Sequence, residues 1–239
     1  VWEEESPVDD PGQAPGTDVA TLRAILGAAY AQGDERILQI GGFTPWAWKY
    51  TNHGRAGSRH GGVDTEWKYA KVISAYNGIM DADALGYSGM ANASFYRHHP
   101  LRDRYPQNPR PTRDDLKQRG LLAGDGSVIP NMYVCFYMGD YDSAAWLNYH
   151  VPLWWQDEAR PALPCAWAFN PNLDGRAPHV LHYARTHQSP NDWFIFGDSG
   201  AGYLNPGMLL AENRDSGLPD GLDAWVKHCL RYAERYDLS

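Results

Sequence analysis

Apolar residues along this chain alternate between short unbroken runs and longer stretches at helical spacing. Residues 1–17 hold acids, Pro and Gly with little apolar content and read as a linker or surface tail, leaving residues 18–239 as one domain. Thr17 or Asp18 is placed to cap a helix carrying Val19, Leu22, Ile25 and Leu26. Ile37 to Ile40 then reads as a strand closed by Gly41-Gly42, and 63–75 as a helix with Asp64, Thr65 and Glu66 in its first turn. A second strand is expected over Ala84–Tyr87, continuing into Gly89–Asn92, followed by a Pro- and Arg-rich connection over 97–113 and a helix over 113–119.

The strongest strand signal is Met132–Met138, almost wholly apolar or aromatic, as a strand covered on both faces would be. Ser143–Trp155 follows as a helix that Pro152 should end or kink. Strands at Cys165–Phe169 and Trp193–Phe196 and helices at Pro178–Thr186 and about Leu222–Tyr236 complete the pattern, Pro178 standing at a first helical turn where its missing N–H costs nothing. Strand followed by helix, five times over, defines an α/β protein with a parallel sheet. Gly41-Gly42-Phe43-Thr44-Pro45 lacks the third glycine of a dinucleotide-binding turn and breaks with a proline. The expected architecture is therefore a (β/α) barrel-like fold, incomplete or irregular, because five strands cannot close an eight-stranded ring.

Charge and composition narrow the function classes. Lys and Arg number 21 against 29 Asp and Glu, a formal charge of −8, which excludes the basic stripe of a nucleic-acid surface. No apolar run approaches the roughly 18 residues of a membrane span. Cys135, Cys165 and Cys229 are too few and too scattered for a disulfide framework or a zinc knuckle. The chain opens at Val1 without a leader pattern and is read as processed, trimmed or partial. Ten Trp and 15 Tyr against 6 Phe give most rings a polar handle, which suits a Trp-rich core and also surfaces that stack on hydroxylated ligands such as sugars.

In parallel α/β folds the reactive groups gather at the carboxyl ends of the strands. Those ends carry Thr44, Trp46, Trp48, Lys49 and Tyr50; then Asn92, Ser94 and Tyr96; then Asp140, Asp142 and Ser143; then Asn170 and Asn172; then Asp198, Ser199, Gly202 and Tyr203. Asp140 and Asp142, two residues apart past a buried strand, suit a cation site or acid and base work, with Asp142 or Ser143 capping the next helix. Ser199 is a poor nucleophile candidate, because Ala201 stands where a nucleophile elbow needs Gly. Asp198 is the better candidate, as a carboxylate facing Asp140. His179 and His182 share a helix face, for which a surface or capping role is preferred to metal ligation. His98-His99, His53 and His60 lack a carboxylate at metal spacing; Asp81 and Asp83 are placed before the second strand, at the end away from the site, and Glu66 is held in reserve at a helix start.

Gly200-Ala201-Gly202-Tyr203-Leu204-Asn205-Pro206 resembles the motif that names the GxGYxYP putative glycoside hydrolases, with Asn205 where the motif has its second Tyr. The resemblance extends through Gly42–Trp46, Tyr76-Asn77, Asp81–Ala84, Asn92–Phe95 and Gly139–Asp142, from about residue 18 to 215. It implies a barrel-like catalytic domain preceded by a separate amino-terminal domain or joined by an assembly partner, and a carbohydrate-active, bacterial enzyme located outside the cell or in the periplasm. The motif maps onto Gly200, Gly202, Tyr203 and Pro206, and Asp140 and Asp142 match a recurrent acidic stretch. The leading expectation is glycoside hydrolysis by Asp140 and Asp198 with Asp142 in support, without a cofactor. Trp46, Trp48, Lys49, Asn92, Asn170, Ser199, Gly202 and Tyr203 are the expected substrate contacts. Two rivals stand beside it: a metal-dependent carbohydrate hydrolase, deacetylase-like, with Asp140, Asp142 and a histidine around a divalent cation, and a carbohydrate-binding or scaffold protein without chemistry.

Overall fold

The computed structural model describes residues 17–34, 36–41, 65–81, 90–141, 143–197 and 199–238, with the backbone alone at 17–19, 65–68, 140 and 141. Its elements run α1 (Thr17–Gln32), β1 (Leu38–Gly41), α2 (Thr65–Ser74), β2 (Gly78–Asp81), α3 (Ala93–Tyr96), α4 (Arg113–Gln118), β3 (Phe136–Tyr141), α5 (Ala144–Trp155), β4 (Cys165–Phe169), α6 (Pro178–Thr186), β5 (Asp192–Phe194) and α7 (Leu222–Tyr236). The expected α/β class with parallel strands is present. A closed barrel is not: the described strands form two separate sheets, β1-β2 and β3-β4-β5.

The strands differ from the expectation in place and in physical setting. The second strand lies at Gly78–Asp81, and Ala84–Tyr87 falls outside the described residues. The expected continuation to Asn92 is not extended; Asn92 takes φ 61°, a left-handed conformation that precedes α3. The third strand starts at Phe136 rather than Met132. Phe136 pairs with Cys165, so a longer ladder would set Cys135 opposite Pro164, which has no N–H to donate. Nor is this strand covered on both faces: β3 is an edge strand among the described residues, and Phe136, Tyr137 and Met138 are exposed.

The helices follow their sequence signals closely. Pro178 opens α6 at its first turn, and α7 spans Leu222–Tyr236 as its apolar spacing predicts. Pro152 does not end α5, which runs three residues further to Trp155. Ser143 is the cap of α5, its Oγ accepting the Trp146 N–H at 3.3 Å. Thr17 and Asp18 lie inside α1 rather than ahead of it.

The largest core lies under the three-stranded sheet, where Leu147, Val151 and Trp155 of α5 meet Trp167, Phe169 and Phe194 of the strands and Leu181 and Ala184 of α6. Leu26 of α1, Tyr69, Val72 and Ile73 of α2, and Met80 of β2 form a second cluster. A third joins the two halves: Ile79 of β2, Leu204 and Leu209, and Trp225 of α7. Burying such side chains contributes roughly 1.5–3 kcal/mol each, so this small cluster helps to hold the two sheets together.

Candidate functional site

Asp81 ends β2 and is fully buried. Its Oδ2 accepts the Arg176 Nη1–H at 2.8 Å and the Gln39 Nε2–H at 3.3 Å. Gln39 belongs to β1, while Arg176 follows the 3-10 turn Pro171–Gly175 that leaves β4. One carboxylate thus ties together the carboxyl ends of strands from both sheets. A buried anion persists only when paired and hydrogen-bonded, which Arg176 and Gln39 supply. Sequence reasoning missed Asp81 because it set the second strand too late, putting this residue at the wrong end. The signal was present in Asn77-Gly78: Asn77 takes φ 59° just past α2, a helix-ending conformation that Asn tolerates, and Gly78-Ile79-Met80 follows as a short buried run.

The same end of the molecule gathers other polar residues. Asn170, directly after β4, is fully buried. Asn172 is buried too, and neither its Oδ1 nor its Nδ2 has a hydrogen-bond partner among the described residues. Asp174, two residues on, faces away into α7, accepting from Arg235 Nη1 at 2.9 Å and Tyr236 OH at 3.2 Å. Burial pushes its carboxyl above the usual range, an effect the Arg235 guanidinium partly offsets.

The Gly-rich segment after β5 crosses between the sheets. Ser199 Oγ donates to the Leu204 carbonyl at 2.5 Å, the Tyr203 carbonyl accepts the Met80 N–H at 2.8 Å, and the Asn205 N–H donates to Ser74 Oγ at 2.9 Å. Gly202 adopts φ 139°, and a Cβ there would sit 2.7 Å from the Ile79 side chain; at Gly200, φ 131°, it would sit 2.9 Å from Trp225. The close approach that these glycines permit is therefore to β2 and α7. The Ser199 hydroxyl proton is engaged by a carbonyl, which removes the serine from nucleophilic work. Tyr203 is half-buried against the cluster of α1 and α2, and Asn205 caps the following turn by accepting the Gly207 N–H at 3.1 Å.

Several expected site residues fall elsewhere. Asn92 is exposed beside α3. The Asp140 backbone lies in β3, at its carboxyl end; its side chain, and Asp142, Asp198, Trp46, Trp48 and Lys49 entirely, lie outside the described residues, as do His53, His60 and the Glu66 side chain. His179 and His182 are held by protein partners. His179 Nε2 meets Asn148 Oδ1 at 2.7 Å, and His182 Nδ1 meets the Tyr105 hydroxyl at 2.8 Å. Burial, then the His99 charge, lowers the pKa of both. Among the described residues no group of three His, Cys, Asp or Glu is placed to hold a metal ion.

Two parallel sheets with helices packed on them, and polar side chains meeting at one carboxyl end, define an α/β protein. Residues 131–239 of the chain match the GxGYxYP putative glycoside hydrolase C-terminal domain. The match includes Gly139–Asp142 and the Gly200–Tyr203 segment and begins after the amino-terminal pieces of the resemblance. A solved structure, of a putative hydrolase from Bacteroides thetaiotaomicron VPI-5482, shares the fold with a TM-score of 0.50 and 19% identity over 70% of this chain. The alignment spans 28% of that protein's length. No curated protein matches.

Proposed function

We propose that the chain is a hydrolase that cleaves glycosidic bonds of an oligosaccharide or polysaccharide at the shared carboxyl end of its parallel strands. The observation that carries this reading is the convergence of strand ends: Asp81 and Arg176 bring ends of the two sheets to one place, and β3, parallel to β4, ends on the same side. The family matched by residues 131–239 and the hydrolase that shares the fold support the same class. On this reading Asp140 and Asp198 are the two working carboxylates. One protonates the leaving oxygen while the other attacks the anomeric carbon or activates water. Asp142 supports them electrostatically, and Trp46, Trp48 and Tyr203 supply flat faces for sugar rings. Lys49, Asn170 and Ser199 complete the proposed contacts. The family resemblance supports a location outside the cell or in the periplasm as part of this proposal.

The test is reducing-sugar release across a glycan panel by the wild type and Asp140→Asn, each with and without EDTA. Loss of turnover by about 10²–10⁴-fold in the variant, with no effect of chelator, is the expected result. Activity abolished by EDTA would transfer the site to a metal-dependent hydrolase. Glycan binding without any turnover would make the chain a binding module.

A further inference from the structure

We propose that residues 92–105 form an acid-released strap, a segment that packs on two histidines of α6 and lifts away when the histidines at this contact take up protons. The strap meets α6 through rings. Tyr96 packs on His179 with centroids 4.8 Å apart, His99 meets His182 edge-on at 4.8 Å, and the Tyr105 hydroxyl reaches His182 Nδ1 at 2.8 Å. Leu101, partly buried against the main core, and the Arg104–Asp237 pair at 3.5 Å add to the hold. From Tyr105 onward the attachment changes character. Arg185 Nη2 donates to the Tyr105 carbonyl at 2.7 Å, Gln107 exchanges hydrogen bonds with the Phe194 backbone, and Asn108 Nδ2 donates to the Ser189 and Asp192 carbonyls. None of these bonds involves a group that titrates near neutral pH, so Tyr105 divides a stretch held by histidines from one that is fixed.

The contact suits neutral imidazoles only. Asn148 Oδ1, an acceptor, lies 2.7 Å from His179 Nε2 and so places the His179 proton there. His179 Nδ1 is left bare, buried and without a hydrogen-bond partner among the described residues, and His99 Nε2 is buried without one as well. The Tyr105 hydroxyl accepts the Arg102 N–H at 2.9 Å and gives its own proton to His182 Nδ1. An imidazolium donates from both nitrogens. Charging His179 or His99 therefore buries an N–H with no acceptor, and charging His182 sets its Nδ1–H against the Tyr105 proton. The surrounding charges do not offset this. From α5 come Tyr149 and His150, and from α6 come Tyr183 and Arg185, with His187 just past its end; neither helix bears a carboxylate. The strap brings Arg97, His98, Arg102 and Arg104 against one carboxylate, Asp103. Asp237, at the end of α7, is engaged by Arg104 and by the Gln107 N–H. Burial, then the His99 charge, already disfavours protonation of both α6 histidines, and Arg102 and His187 act in the same sense on His182.

The experiment is amide hydrogen exchange of the full chain at pH 7.5 and pH 5.5, read by mass spectrometry and normalised to the intrinsic rate at each pH. The reporting amides are those of Arg97 and His99, which donate to the Ala93 and Tyr96 carbonyls at 2.9 Å. The reference is the Phe194 amide, bonded to Gln107 Oε1 at 3.1 Å. A released histidine titrates near the ordinary value of about 6.5, so strap protection is expected to fall on the order of tenfold for each histidine that the closed strap keeps neutral. Protection at Phe194 is expected to fall much less. His99→Gln and His179→Gln, which keep a hydrogen-bonding amide and cannot charge, should each lessen the pH effect, and combining them with His182→Gln should abolish it. If the triple variant does not fold, the two single variants decide the matter. Strap protection that is unchanged between the two pH values, or already absent at pH 7.5, would overturn the proposal. So would a loss as large in the glutamine variants as in the wild type, or one shared in full by Phe194, which marks global acid unfolding instead.

Discussion

At Gly202 the chain needs two things that only glycine supplies together: a φ of 139° and room for the Ile79 side chain where a Cβ would stand. Gly217, at φ 70° with open space around it, needs only the first. Gly202→Ala is therefore expected to cost about 2 kcal/mol or more, from backbone strain and overpacking combined, and Gly217→Ala about 1 kcal/mol. Urea unfolding of the two variants checks the difference, and equal losses would sink the packing explanation. The motif glycines could be picked out of the sequence, yet their partners could not. Ile79 and Trp225 lie far from them along the chain, and glycine's tolerance of positive φ does not say whether the close neighbour is ligand or protein. Asn172 is the converse case, a buried amide without a partner among the described residues, whose environment no local pattern announces.

The elements differ in how much of their definition is local. The limits of α6 and α7 follow from signals inside the helices themselves, a proline at the first turn and apolar residues at helical spacing. The cap of α5 is equally local, and Ser143 rather than Asp142 fills it. Ser143→Ala is expected to lower stability by about 1 kcal/mol through the orphaned Trp146 N–H, with Ser143→Asp recovering most of the loss; thermal unfolding of both variants measures this. Strands are less local, because a strand's register belongs to its neighbour. Met132–Cys135 has the composition of a strand, but the Pro164 that denies it a partner sits in another part of the chain. The apolar sequence of β3 likewise says "covered", while its place at the sheet edge leaves Phe136 and Tyr137 exposed.

At the scale of the whole molecule, three histidines are held in settings that disfavour their charged form. Burial is the leading cause for His179, His182 and His228, whose Nε2 donates to the Ala201 carbonyl at 2.9 Å. Their folded-state pKa values lie below the unfolded value of about 6.5, so below that pH the unfolded chain binds more protons. Stability is thus fully present above about pH 6.5 and declines as pH falls through the folded values, by at most about 1.4 kcal/mol per pH unit for each histidine. Asp174 acts in the opposite sense. Its raised pKa makes stability fall as pH rises from the unfolded carboxyl value through the folded one. The urea midpoint is expected to be higher at pH 7.5 than at pH 5.5, and His228→Gln, which keeps a donor for Ala201, should narrow that gap. A midpoint that does not move between the two pH values would contradict this account.

Helix identity, the alternation that gives the α/β class and the resemblance carried by Gly200–Tyr203 were determined by the sequence alone, because each is read from residues close together along the chain. The tertiary structure decided that the described strands form two sheets, that the Gly-rich segment spans between them, and that Asp81 meets Arg176. Asp81 ends β2, and Arg176, 95 positions on, follows β4 of the other sheet. Such contacts arise when distant segments bury apolar surface together, and the polar groups caught at that junction must then pair. Local periodicity records that a residue will be buried, and carries no information about which residue will be waiting there.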